Sequence, residues 1–189
     1  MGKQNKYRDI HIKLIEDCRK GSKKAQFEIY KRYYKAMFNV CNRILNDQME
    51  AEEVMHDAFL KAFRNLDSFS CEVSFGAWLR KIMINQSLDN LRKRKTDFEP
   101  LNDKIEDSTF FEPDNTESSE NYDIQAIRDE LLKLPEGYRI VLSLYLLEGY
   151  DHDEIGEILN ISASTSRSQF YRARQKLIQN LKKKENGNV

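Results

Sequence analysis

Apolar residues return every three to four positions along most of this chain. That is the period of an amphipathic helix, and no segment keeps the alternation of a half-buried strand. The longest run spans residues 22–45, where Phe27, Ile29, Tyr30, Tyr33, Tyr34, Met37, Phe38, Cys41, Ile44 and Leu45 form the apolar stripe and Ser22 stands as a capping hydroxyl. Asp47 and Glu50 have the spacing of a capping box, in which each side chain accepts from the other residue's backbone N–H. They open a second helix over 48–65, with Ala51, Val54, Met55, Ala58, Phe59, Ala62 and Phe63 apolar. Residues 66–74, LDSFSCEVS, lose the period and read as a loop. A third helix is expected from Phe75 to Lys95 through Trp78, Leu79, Ile82, Ile84, Leu88 and Leu91, ending in the basic run Arg92-Lys93-Arg94-Lys95. A further helix over 122–134 leads to Pro135, which restarts the chain.

The last third, Leu134 to Leu181, reads as helix, turn, short helix, turn and long basic helix. Leu142, Leu144, Leu146 and Leu147 make an apolar helix that stops at Gly149. Asp151 and Glu154 form another capping box, Ile155, Ile158 and Leu159 supply the buried face of the short helix, and Asn160 ends it because Asn tolerates a left-handed backbone. Ser162 or Ser164 caps the last helix, whose first turns carry Arg167, Arg172, Arg174 and Lys176 and no acid. This is the layout of a helix-turn-helix, whose second helix presents its N-terminal residues to base edges in the major groove.

Composition adds a division of charge that the total conceals. The net charge is zero over 189 residues, yet residues 1–95 hold 20 Lys and Arg against 12 Asp and Glu, residues 96–123 hold 1 against 10, and residues 124–189 hold 10 against 9. Residues 96–121 also contain two of the three prolines, Pro100 and Pro113, and little aliphatic content, which is the composition of a flexible linker; Phe98, Phe110 and Phe111 are its docking candidates. The expected fold class is all-α, with two small helical domains, 1–95 and 122–189, joined by the acidic linker 96–121. Hydrophobic content of 40% and charged content of 33% fit a soluble globular protein with modest cores. No apolar run approaches the roughly 20 residues that span a bilayer, and the N-terminus MGKQNKYRDIHIK has no apolar stretch behind its basic residues, so no membrane insertion, no signal peptide and a cytoplasmic location are expected. Cys18, Cys41 and Cys71 are odd in number and lack a Cys-x-x-Cys pair, which reads as reduced, partly buried thiols rather than a zinc site.

Three constellations bear chemistry. The basic C-terminal helix is the first. The second is the helix from Phe75 to Lys95, where Lys and Arg side chains can neutralise phosphates, Asn85 can contact a base edge, and Trp78 with Phe69 and Phe75 offers rings for an unpaired base. The third is Glu53-x-x-His56, half of a di-iron carboxylate motif; a second Glu-x-x-His is missing, since neither His11 nor His152 has Glu three residues earlier. No Gly-rich phosphate loop or nucleophile elbow occurs, so no catalytic residue, cofactor or metal is assigned.

Taken in order, the segments Ala51–Ala62 (AEEVMHDAFLKA), Phe75–Arg92 and Ser164–Arg174 (STSRSQFYRAR) resemble those of bacterial RNA polymerase sigma factors of the extracytoplasmic-function subfamily. The resemblance covers roughly residues 22–95 and 124–182. It implies a dissociable specificity subunit, not an enzyme, that binds core RNA polymerase and directs initiation at chosen promoters. Glu53, His56, Asp57 and Leu60 would face the clamp helices of the β′ subunit, and the C-terminal domain would meet the β flap. The loop from Asp67 to Ser74, including Ser68, Phe69 and Ser70, would hold a base flipped from the non-template strand. Trp78, Arg80, Lys81, Asn85, Asp89 and Arg92 would serve the minus-10 element. Thr165, Arg167, Ser168, Tyr171, Arg172 and Arg174 would enter the minus-35 duplex. An anti-sigma factor is a further implied partner. Three positions depart from the family's usual residues: His56 stands for Gln, Ser166 for a branched apolar residue and Gln169 for Arg. On sequence grounds Ser166 weakens packing of the recognition helix unless it is partly exposed, and Gln169 removes one phosphate charge. Two other readings stay open at this point: a repressor or activator with an N-terminal dimerisation bundle, and a helical metalloenzyme built around Glu53 and His56.

Overall fold

The computed structural model of this chain describes residues 11–97 and 123–186. All regular structure among them is helical: α1 Ile12–Arg19, α2 Lys23–Leu45, α3 Gln48–Arg64, a 3-10 turn Leu66–Ser68, α4 Phe75–Asp97, α5 Ile124–Leu132, α6 Glu136–Leu146, α7 His152–Leu159 and α8 Ala163–Asn186. The expected linker 96–121 and its phenylalanines lie almost wholly outside the described residues. Helix α1 is an addition to the sequence reading; it buries Ile15 and Cys18.

The first unit is α1 to α4 around Ile29, Met37, Ile44, Met55, Phe59, Leu79, Met83 and Ile84, all 2% exposed or less. Its boundaries follow local chemistry. Ser22 accepts from the Ala25 N–H, Asn46 ends α2 in the left-handed conformation (φ 57°), and Asp47 accepts from the Glu50 N–H. The capping box expected at Asp47 forms only in this half, because the Glu50 carboxylate is turned to the Arg94 guanidinium on α4. Two residues of the expected α2 stripe face solvent, Phe27 (60% exposed) and Tyr34 (36%); the stripe drawn from sequence was wider than the face that α3 and α4 cover. The three cysteines are free and buried. Burial raises the Cys18 and Cys41 thiols to about 11, so neither is a thiolate at neutral pH.

The second unit, α5 to α8, has its own small core of Leu131, Leu134, Leu142, Ala173, Leu177 and Leu181. It does not stand apart. Ile140, Val141, Leu144 and Ile155 join the apolar cluster of the first unit, and α6 packs on α2. The reason lies in α6, where Arg139 to Leu144 are all buried. A helix apolar around its circumference needs cover on two sides, and α8 supplies one and α2 the other. Leu146 and Leu147, read from sequence as part of that apolar face, are instead half exposed at its end.

Polar contacts fix this junction. The buried Arg139 guanidinium donates from Nε to the Arg43 carbonyl (2.8 Å), from Nη2 to the Ile44 carbonyl (3.1 Å) and from Nη1 to the Leu134 carbonyl (3.2 Å). Arg43 and Ile44 lie in the last turn of α2, whose carbonyls have no partner within the helix and carry its negative dipole end. Burial draws the Arg139 pKa down, and the carbonyls and dipole offset the cost of burying the charge.

Candidate nucleic-acid and protein interfaces

On α3 the apolar residues Ala51, Val54, Met55, Ala58, Phe59 and Ala62 turn inward, which leaves Glu53, His56, Asp57 and Leu60 exposed on the opposite side. Leu60 is 52% exposed although apolar. Asp57, Leu60, Lys61 and Gln86 line an open groove between α3 and α4, and Lys61 Nζ donates to Gln86 Oε1 (3.2 Å). His56 Nε2 shares a hydrogen bond with the Tyr30 hydroxyl (2.9 Å) and its ring lies nearly parallel to Tyr30. The described residues hold no group of three or more His, Cys, Asp or Glu able to take a metal. The Glu53–His56 pair therefore has no second half there.

The loop 66–74 is built on aromatic packing. Phe69 (2% exposed) and Phe75 (1%) are core residues, not free rings. Phe69, Phe75 and Trp78 form a cluster with centroids 5.4–5.5 Å apart. Phe69, assigned from sequence to base contact, is thus the floor of the loop, and Trp78 is half-buried above it. Cys71 takes a left-handed backbone (φ 62°), unusual for a residue with a side chain. It turns inward while Asp67, Ser68, Ser70 and Glu72 remain exposed. The loop is tied down from outside its own sequence: Arg19 at the end of α1 donates to the carbonyls of Leu66 (3.1 and 3.3 Å) and Phe69 (2.6 Å). Sequence reasoning missed Arg19, and the only signal was the short amphipathic segment that precedes Gly21.

Along α4, Lys81, Asn85, Asp89 and Arg92 are exposed and fall on one side at intervals of three and four. Arg92 pairs with Asp89 (3.1 Å) and donates to the Ile158 carbonyl of α7 (3.2 Å). Arg80 is separated from that row: its Nε lies 3.1 Å from a carboxylate oxygen of Glu148, whose other oxygen is held by Arg43. The second unit thus touches α4 at Arg92, the end of the row, and at Arg80 beside it.

The turn between α7 and α8 has the geometry its residues predict. Asp151 Oδ1 accepts from the Glu154 N–H (2.8 Å) and Glu154 Oε2 from the Asp151 N–H (2.9 Å), the complete capping box. Asn160 ends α7 at φ 57°, and Ser162, not Ser164, caps α8 by accepting from the Thr165 N–H (3.0 Å). The crossing is so close that a Cβ on Gly156 would stand 2.8 Å from the Ile161 carbonyl. Arg167, Ser168 and Arg174 are exposed at the start of α8, with Thr165, Tyr171 and Arg172 partly so.

Two departures take a different form from that expected. Ser166 is fully buried, and it is accommodated because its hydroxyl shares a hydrogen bond with His152 Nδ1 (3.0 Å). The His152 ring stacks on Tyr145 (centroids 4.6 Å) and meets Phe170 edge-on. Burial, then the charge of Arg167, lowers the His152 pKa. Gln169 is 7% exposed and faces Gly137 of α6. It is a packing residue between α6 and α8.

The family model described as Sigma-70 region 2 matches residues 29–96, and that described as Sigma-70, region 4 matches residues 124–177. The chain is similar to the ECF RNA polymerase sigma factor SigW of Bacillus subtilis (strain 168), with 32% identity over 181 residues, 90% of this chain and 96% of that one. It is also similar to the RNA polymerase sigma-H factor of Pseudomonas aeruginosa, with 30% identity over 171 residues, 86% of this chain and 89% of that one. Among solved structures, its fold is similar to that of the sigma factor RpoE in a co-crystal with the anti-sigma factor NepR from Bartonella quintana, at a TM-score of 0.56 and 22% identity over 82% of this chain and 95% of that one.

Proposed function

The chain belongs to the sigma-70 family, in its extracytoplasmic-function group, and from that premise we propose how its surfaces divide the work of promoter-specific initiation. Domain 1–95 binds core polymerase and the minus-10 element, domain 122–189 binds minus-35, and residues 96–121 connect them. The observation that carries this reading is the set of exposed faces that their own helices do not need for packing: Glu53, His56, Asp57 and Leu60 on α3; Lys81, Asn85, Asp89 and Arg92 on α4; Arg167, Ser168 and Arg174 on α8.

The α3 face docks on the β′ clamp helices, with Leu60 as its apolar anchor and Asp57 beside it in the groove. The exposed hydroxyls and carboxylate of Asp67, Ser68 and Ser70 stand over the aromatic floor to hydrogen-bond an unpaired base, which offsets an unpairing cost of a few kcal/mol. Asn85 reads minus-10 edges, and the neighbouring cations hold phosphates. In the minus-35 groove Arg167 suits guanine edges or phosphate, and Ser168 donates or accepts, with Thr165, Tyr171, Arg172 and Arg174 at the flanks. The half-exposed Leu146 and Leu147 lie where an apolar element such as the β flap would dock.

The protein acts as an initiation factor and not as an enzyme, in the cytoplasm where polymerase works. The acidic segment 96–121 mimics nucleic-acid charge in the polymerase cleft; neutralising its acids impairs initiation, and unchanged transcription removes that role. A protein of similar fold was crystallised with an anti-sigma factor, and a partner of that class is proposed here too.

Transcription by core polymerase mixed with this chain, on a library of promoter fragments, tests the whole reading. Core-dependent, sequence-selective initiation is expected. Duplex binding without initiation would favour a repressor instead.

A further inference from the structure

The carboxylate of Glu148 sits at the end of α6 with a side chain only 4% exposed, between two arginines of the other unit. Arg43 comes from α2 and Arg80 from α4. Arg43 Nε is buried and has no hydrogen-bond partner among the described residues, so Glu148 does not saturate the pair. Two guanidiniums converging on one buried oxyanion make a site whose geometry suits phosphate as well as carboxylate. We propose that Arg43 and Arg80 form a binding site for a phosphodiester of the promoter's single strand, and that Glu148 occupies this site in the free chain as an internal substitute. This rests on the reading of α4 as the minus-10 helix.

Size shows why the substitute must leave. A compact chain of 189 residues has a radius of gyration of about 16 Å and is roughly 40 Å across. The minus-35 and minus-10 elements are separated by about 25 base pairs, or ~85 Å of duplex at about 3.4 Å per pair. With α6 on α2 and Ile158 against Arg92, the two units cannot meet both elements. The 25 residues 98–122 have a contour of about 85 Å, enough to let them part. Parting removes Glu148 from Arg43 and Arg80 and uncovers the end of α4, in the state in which unpaired DNA is present. Meanwhile Arg167, Ser168 and Arg174 remain exposed in the closed arrangement, so closure blocks the strand site and leaves the duplex site open.

The test uses the full chain without polymerase, a 12-nucleotide minus-10 single strand, X-ray scattering and a binding titration. On the unmutated chain, strand binding is expected to raise the radius of gyration. Glu148→Gln is expected to leave the free chain compact, because Arg139 and the apolar side of α6 still hold the units, and to tighten strand binding about tenfold. Adding Arg43→Gln to Glu148→Gln should abolish that gain and lower the salt slope of log K by about 0.7, the value of one single-strand phosphate. A chain that binds the strand while staying compact would overturn the proposal. So would an Arg43→Gln change that leaves the slope of the Glu148→Gln variant unaltered. The unmutated measurement decides the matter if Glu148→Gln fails to fold, as read by its helical signal. Loss of core-dependent initiation would instead count against the sigma-factor reading, and it is read separately from strand binding and compaction.

Discussion

Ser166 and Gln169 carry a lesson about single residues in the recognition helix. Both differ from what is usual at those positions; sequence alone gave Ser166 a weaker packing of the helix and Gln169 the loss of one phosphate charge. In the fold both point into the domain, one to His152 and the other to α6. Arg167→Ala should therefore lower the salt slope of minus-35 duplex binding by about 1, one phosphate's worth. Gln169→Arg should leave that slope unchanged and cost about 1–3 kcal/mol of stability through overpacking. Competition titrations at several salt concentrations, with urea melts, separate the two. His152 adds a pH term. Its folded pKa lies below the ordinary 6.5, so below that pH the unfolded chain takes the proton more readily than the folded one. The stabilising contribution is complete above pH 6.5 and is lost as pH falls below it. Urea melts at pH 7.5 and 5.5 should show a smaller drop for His152→Gln than for the unmutated chain; equal drops would place the pH sensitivity elsewhere.

Among the elements, the loop 66–74 depends on a helix that its own sequence does not announce. Arg19 holds the carbonyls of Leu66 and Phe69, so Arg19→Ala should release the loop without disturbing the recognition helix. The expected result is a several-fold loss of open-complex formation, read by permanganate reactivity of unpaired thymines, with minus-35 duplex affinity unchanged and partial rescue by Arg19→Lys. Equal loss in both assays would mean a general defect in folding. The elements that were legible in sequence are those set by local rules: Ser22, Asp47, the Asp151–Glu154 box, Asn160 and the three-to-four periodicity of α2, α3 and α4. Those that were not legible depend on what lies across the chain. Asp47 loses half its box because Arg94 claims Glu50, Phe69 turns inward to pack on Trp78 and Phe75, and Arg19 finds partners 47 and 50 residues away. The faces of α3, α4 and α8 were readable because solvent exposure follows helical period, whereas the engagement of Arg80 with Glu148 spans units.

For the whole molecule, the junction between units is made by Arg139 and the apolar side of α6, and its strength decides whether the chain unfolds as one body. Ile140, Val141 and Leu144 are buried against the first unit, and fully burying such side chains contributes about 1.5–3 kcal/mol each. Arg139 supplies donors to two end carbonyls of α2. Arg139→Met keeps the bulk and removes those donors, leaving buried acceptors at a cost of about 2–4 kcal/mol. That cost falls on the junction, because the cores around Met83 and around Leu177 keep their own contacts. The single tryptophan, Trp78, lies in the first unit, so its fluorescence reports that unit alone, while circular dichroism reports the helices of both. In the unmutated chain the two transitions in urea should coincide, as two-state unfolding demands. In Arg139→Met they should separate, with fluorescence following one unit and the dichroism showing two steps. Divergence already in the unmutated chain would mean that the shared apolar cluster couples the units too weakly to make them unfold as one body, and closure would then rest on the polar contacts of Arg139, Arg92 and Glu148.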